Sequence, residues 1–280
     1  MVGMPTANPV FGESASGRST GITGSGFGPT LYVNTVTGST RGNARSPKNA
    51  NSTMEGAFDV LANMNAVKAK SADNAVIYWV GVIAEQITAP LGVSGVSIVA
   101  VQGGNNRHDN GARWKQAATA GNAPLLTLRE QGWVVRGGVF VPQSTYSGVR
   151  LRRQEDATYP DASHAIIQQV RFIGDEATPA GIGLEDYGGG SHYRVVGCEF
   201  SGLVTGYSVT NQGVDIPNHN FFADNVFFKN TNHFAGAQYY SILLGNKFIT
   251  VTTGTNAVVN TITGQTSAAA HDNQVILNWF

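Results

Sequence analysis

Apolar residues along this chain come in short runs rich in β-branched and aromatic side chains, punctuated by glycine, asparagine and other turn formers. Runs of that kind read as strands. One segment departs from the pattern. Ser52 is followed by Glu55 at the spacing of a capping box, and Met54, Phe58, Leu61 and Met64 recur at helical intervals. A single amphipathic helix is expected there. Leu31-Tyr32-Val33-Asn34 precedes it as a short strand, with a glycine- and polar-rich loop from Thr37 to Asn51 between them. Asp73-Asn74 closes the helical region with turn chemistry. Strands follow: the long run from Ala75 to Ile83, then Val96 to Val101 after the Pro90 break.

Self-similarity decides the architecture. Gly197-Cys198-Glu199-Phe200, Asp224-Asn225-Val226-Phe227, Gly245-Asn246-Lys247-Phe248 and Asp272-Asn273-Gln274-Val275 share one pattern. Each has Gly or Asp, then Asn or Cys, one variable residue and a large apolar residue. The apolar positions are 27, 21 and 27 residues apart. Val139-Phe140-Val141 and Val170-Arg171-Phe172-Ile173 occupy equivalent places earlier. This period suits one turn of a parallel β-helix, built from three short strands and their corners. The Asn or Cys is expected to point inward at a bend and stack on its equivalent one coil away, while the Phe forms an aromatic ladder. No coil can bury its apolar face alone, so the coils stabilise one another. A β-sandwich would show hairpin signals such as Asn-Gly between alternating strands; Asn110-Gly111 is the one Asn-Gly, and no tidy alternating strands flank it.

The expected fold is therefore all-β, a right-handed parallel β-helix with a short N-terminal capping helix and an extended N-terminal arm. The arm occupies residues 1–29, the opening strand, loop and capping helix 30–74, and the β-helix 75–280. The helix would cover the first coil, whose core and strand edges would otherwise be open.

Composition sharpens this reading. Only 13% of the 280 residues are charged, and glycine reaches 35. Such a surface takes its polarity from Asn, Thr, Ser and Gln, as β-rich chains do. The formal net charge is zero, which speaks against nucleic acid and against broad attraction to an anionic membrane. No apolar run approaches the ~18 residues that span a bilayer, so no membrane insertion is expected. The N-terminus lacks the basic and apolar regions of a secretory signal. Cys198 is the one cysteine, which excludes an internal disulfide framework, and it reads as a small buried hydrophobe rather than a nucleophile.

Residues 1–29 are rich in Gly, Ser, Thr and Pro and show no periodicity. They cannot offset their own ordering entropy when alone. A loose terminus has the same composition, but Pro9-Val10-Phe11 offers an apolar anchor that favours an arm ordered on a partner. At the other end, Trp279 and Phe280 close an apolar tail from Ile276, as if the last coil were covered by symmetry mates.

Leu31–Asn34, the loop with Ser46-Pro47, the helix from Ser52 and the first strand at Ala75 resemble the start of pectin-lyase-like β-helix proteins. Ala123 to Trp133, Asp161 to Ile166 and Gly183 to Gly189 resemble β-helix structural proteins of tailed bacteriophages. The resemblance spans roughly residues 30–250. It implies a virion component and a homotrimer, with other virion proteins (the major capsid or a tail protein) as partners. Capsid decoration, spike and fibre all remain open.

Candidate chemistry on this scaffold is thin. The acidic candidates are Glu155-Asp156, Asp161, Asp175-Glu176 and Glu185-Asp186, all expected in loops between coils. Glycoside hydrolysis needs two carboxyls about 5–9.5 Å apart on one site, and neighbours in an extended strand diverge. Glu185 and Asp186, followed by Tyr187 and a glycine loop, are the best pair for a polysaccharide lyase or glycoside hydrolase, but the overall reading is non-enzymatic. His164 and His192 could assist acid–base work, yet no metal-ligand spacing is present and neither metal nor cofactor is expected. Arg150 and Arg152 share a strand face that could grip an anionic host glycan or a subunit. Tyr146, Tyr159, Tyr187 and Trp114 could stack on sugars or fill subunit contacts.

Overall fold

The structure is a computed structural model, and it describes residues 28–101, 112–116, 123–152, 162–174, 178–188, 190–210, 218–236, 240–249 and 274–279. Among these residues the strands form three sheets of nine, seven and six strands, and every strand pair is parallel. The chain visits the three sheets in turn. In one coil, for example, Ile166–Gln168 lies on the first face, Arg171–Ile173 on the second and Ile182–Tyr187 on the third. The expected parallel β-helix is the observed fold.

The inward side of each face is a column of apolar residues in register. Ile77, Ile98, Val135, Ile167, Val195, Phe222 and Leu243 line the first face, all essentially without solvent contact. The second face carries the aromatic ladder: Trp114, Phe140, Phe172, Phe200, Phe227 and Phe248. Successive phenylalanine rings from Phe172 onward lie 4.6–4.9 Å apart, nearly parallel. Offset stacking at this spacing adds about 0.5–1.5 kcal/mol per pair beyond simple burial. Trp114, expected near a loop, is fully buried in this ladder; its Nε1 donates to the Glu85 carbonyl. Opposite the ladder stand Gly148, Gly183 and Gly206 of the third face. A Cβ on any of them would fall 2.6–2.8 Å from Phe172, Phe200 or Phe227.

The repeat marks the bend between the first and second faces. From Gly137 onward its first residue takes a positive φ in each described coil: Gly137, Gln169, Gly197, Asp224, Gly245 and Leu277. That requirement explains the Gly or Asp of the pattern. The next residue points inward, as expected. Asn225 Oδ1 accepts from the Cys198 N–H (2.9 Å), and Asn246 Oδ1 accepts from the N–H and Nδ2 of Asn225. Asn278 Oδ1 does the same for Asn246. The fourth rung is therefore Leu277-Asn278, not Asp272-Asn273. Val275 pairs with Leu243 on the first face, while the Trp279 backbone bonds to Asn246 and Phe248. A local four-residue likeness could not see that register. Cys198 is buried, and burial pushes its thiol up to about 12, so it is chemically inert.

The helix α1, Met54–Val67, takes the place that second- and third-face strands hold in later coils. It buries Met54, Ala57, Phe58 and Leu61, with Phe58 edge-on to Trp133 at 5.6 Å. Its N-terminus differs from the expected box. Thr53 is the N-cap and accepts from the Gly56 N–H, while Glu85 reaches from the neighbouring coil to accept the N–H groups of Met54 (3.1 Å) and Glu55 (2.8 Å). A carboxylate at a helix N-terminus is favoured by the unpaired N–H groups there. The Glu55 side chain is accordingly not needed.

Candidate functional site

Pro9, Val10, Phe11, Glu155, Asp156, Tyr159, Asp161, Asp175, Glu176 and Phe280 lie outside the described residues. Glu185, Asp186, Tyr187, Arg150 and Arg152 are described, and four of them meet on the outer side of the third face. The expected loop position of Glu185 and Asp186 is corrected: both belong to the strand Ile182–Tyr187. Alternation along that strand sends them to opposite sides.

Two outward rows cross the third face. In the first, Thr127, Arg150, Glu185 and Ser208 are partners on successive strands. In the second, Arg152, Tyr187 and Thr210 are partners. Glu185 is the anchor of both rows. Its Oε2 accepts from Ser147 Oγ (2.7 Å) and Arg150 Nε (2.8 Å), and its Oε1 accepts from Thr210 Oγ1 (2.6 Å). The Glu185 side chain is only 5% exposed, whereas that of Arg150 is 25% exposed. Bonds of this charge-assisted type hold the guanidinium in one orientation. The Tyr187 ring receives Arg150 at 4.7 Å and Arg152 at 6.0 Å from its centroid.

A third arginine joins this group. Arg129 directly follows the strand Leu126–Leu128 and donates its Nε to the Ala89 carbonyl at 2.7 Å. Desolvation holds its pKa below the ordinary arginine value, opposed by Glu130, with the Arg152 charge lowering it further. Arg150 and Arg152 thus stand beside the Tyr187 ring, Arg150 is tied to Glu185, and Arg129 lies within electrostatic reach of Arg152 and Glu130. The local excess of positive charge suits an anionic group, and the half-buried Tyr187 ring suits the apolar face of a sugar.

Asp186 faces the interior, in the column of Leu128, Leu151 and Val209, and has no solvent contact. Its Oδ1 accepts from the Gly190 N–H at 3.0 Å, closing the turn after the strand. The paired hydroxyls of Tyr193 and Tyr207 form a further polar link inside the same coils. Two carboxyls on opposite sides of one strand cannot flank a single glycosidic bond. Among the described residues no cluster of three or more His, Cys, Asp and Glu has metal-binding geometry.

The other candidates fall elsewhere. Trp279 bonds through its backbone, and the residue is 71% exposed at the C-terminal coil, remote in register from the third-face rows. His164 and His192 stack on each other with ring centroids 5.1 Å apart and are exposed at the bend before the first face. Ser147, Thr210 and Arg129 escaped sequence reasoning. The signal available for them was side-chain parity on strands one coil apart, which becomes usable only when coil lengths are known.

This geometry defines the class: a parallel β-helix with a polar, arginine- and tyrosine-bearing outer face. A solved structure similar to this chain is that of the Dettilon tailspike protein (gp208), with a TM-score of 0.36 and 10% sequence identity over 78% of this chain. The match covers 50% of that protein, so this chain spans about half its length. No family model and no curated protein matches the sequence.

Proposed function

We propose that this chain is a structural protein of a bacteriophage virion surface, a capsid decoration protein or spike. It attaches to other virion proteins through residues 1–29 and holds its β-helix outward as a homotrimer. The observation that carries this reading is the state of Glu185. The best acidic candidate is tied down by three donors on a regular sheet face, with Asp186 turned into the core, so the scaffold offers a surface rather than a catalytic pair. The resemblance of residues 123–133, 161–166 and 183–189 to phage β-helix proteins supports the virion assignment. Particles lacking the protein test it: full-length chain is expected to rebind them, and chain lacking residues 1–29 is expected not to. Docking of the truncated chain with full affinity would sink the arm.

A second reading is favoured by one observation, the placement of Tyr187 beside Arg150 and Arg152. In this reading the third face binds an anionic host surface polysaccharide, as a receptor-binding protein or tailspike does. Binding of purified host polysaccharide should weaken in Arg150→Ala and Tyr187→Ala. Depolymerisation by the parent chain, lost in Glu185→Gln, would restore the enzymatic version; absence of cleavage removes it.

A further inference from the structure

The outer side of the first face has a character opposite to that of the third. From the strand Ile166–Gln168 onward, its outward positions in register are Ile166, Arg194, Phe221, Ile242 and Gln274 in one column. Gln168, Val196, Ala223, Leu244 and Ile276 make the next column. No carboxylate stands in either column. The one cation, Arg194, lies over the Phe221 ring at 5.5 Å. Apart from the small Ala223, these side chains are half-buried or exposed, and Ile276 is 41% exposed.

A third column borders them. His164, His192, His219 and Tyr240 each stand two residues ahead of an outward first-face residue and stack with centroids 5.0–5.2 Å apart. All four have a positive φ, between 47° and 61°. At the same bend, earlier coils place Gly95 and Gly132, for which that conformation is free of Cβ strain. Large rings at such positions work against backbone preference, at a cost of about 1 kcal/mol or more each. In the earlier coil of Ser97–Ala100 the outward Ser97 and Val99 are only 1% and 8% exposed. The aromatic column starts at the coil of His164, one coil after the outward Val134 and Arg136 first become half-exposed.

We infer that this surface, the outer side of the first face from Ile166 to Ile276 with its His164–Tyr240 rim, is where a second copy of the chain packs. The inference rests on the oligomeric part of the proposed function and assigns it a face. Five strands at the usual spacing of 4.7–4.9 Å, three side-chain columns wide, present about 500 Å². Two copies then bury about 1,000 Å², the lower bound of a specific interface. A mostly apolar surface with no carboxylate and a single arginine suits a permanent partner rather than a transient one, since interfaces between identical subunits are the more apolar kind. Each copy supplies the same sheet, and Arg194, held over the Phe221 ring, is the one charge in its columns that the contact has to accommodate.

Light scattering after size exclusion tests the assignment on the full chain. The parent is expected to run as a multiple of its 29.5 kDa mass. Phe221→Glu with Ile242→Glu should run as a single chain with an unchanged circular dichroism spectrum. Ile173→Glu with Val226→Glu, on the outer side of the second face, should keep the parent mass. Retention of that mass by the first-face variant overturns the assignment of the face while leaving the oligomer standing. A parent that is monomeric at all concentrations overturns both. Should the first-face variant fail to fold, a photo-crosslinking residue at position 242 decides: an intermolecular adduct supports the assignment, and none at 242 with one at 226 overturns it.

Discussion

The outer sides of the first and third faces belong to the same coils, share one backbone geometry and differ in what their side chains do. On the third face every outward group near Glu185 is held by another: Arg150 by the carboxylate, Thr210 and Ser147 by the same oxygens, Tyr187 beside two guanidinium groups. On the first face, beyond the Arg194–Phe221 contact, the outward residues are mostly aliphatic, with Gln168 and Gln274 the polar members, and they are half covered or exposed. A β-helix needs only its inward columns to fold. Its outward columns are free to specialise, and here one became a self-satisfied polar platform and another an apolar sheet. Polar networks are costly to break, because removing one member strands the rest. Apolar outward residues cost the single chain little when changed. The two faces should therefore respond oppositely to mutation.

The largest effect is expected from Glu185→Ala, which strands Arg150, Ser147 and Thr210 beside a desolvated site. Chemical unfolding should report a loss of about 3 kcal/mol, with Glu185→Gln costing about 1 kcal/mol because it keeps an acceptor. A loss no greater than that of an exposed residue would mean that the third-face network is not structural. Acid should act next, through the interior of the third face. His233 follows Gly148, Gly183 and Gly206 in the inward column and has no solvent contact. Its Nε2 has no partner among the described residues, and burial lowers its pKa to about 4. Between about pH 6.5 and 4 the unfolded chain takes up the proton and the folded chain does not. Stability should then fall as pH drops through that window, by at most about 3 kcal/mol, and level off below it. Urea titrations at several pH values check this slope, and His233→Phe should flatten it.

Smaller effects separate surface from scaffold. Tyr187→Ala should cost about 1 kcal/mol of stability through the lost cation–π contact. If the third face binds an anionic glycan, the same change should weaken binding about tenfold, or about 1.4 kcal/mol, by calorimetry. Phe221→Ser on the first face should change single-chain stability by less than about 1 kcal/mol, since half-exposed sites contribute little. Arg171→Ala on the second face serves as the baseline. It removes an exposed ion pair to Glu199 at 2.7 Å and should stay within about 0.5 kcal/mol in thermal unfolding.

Much of the fold was legible in the sequence because a β-helix writes itself as a short-range repeat. The positive φ at the bend demands Gly or Asp, the inward corner demands a small polar residue, and the ladder demands an aromatic two residues on. All three appear within four residues of each other, as at Asp224-Asn225-Val226-Phe227, where local spacing suffices. The same locality misled at Asp272–Val275: the likeness was present, but the register put Leu277-Asn278 on the ladder. The cap of α1 was likewise placed on Ser52 and Glu55, while the carboxylate that binds its N-terminus arrives from Glu85.

The third-face site was half legible. Arg150, Arg152 and Tyr187 were visible as residues able to share a face, since alternation along a strand is fixed by the chain itself. That Glu185 joins Arg150 across 35 residues, and Thr210 across a further 25, depended on the lengths of the loops between coils. Those lengths vary from coil to coil and carry no periodic signal. Local pattern along the chain was enough for the coil, its aromatic ladder and the parity within each recognisable strand; it missed that Glu185 and Asp186 lie in a strand. Which outward residues became neighbours came from the packing of the coils, because neighbours on a β-helix come from adjacent coils and their register is set by that packing.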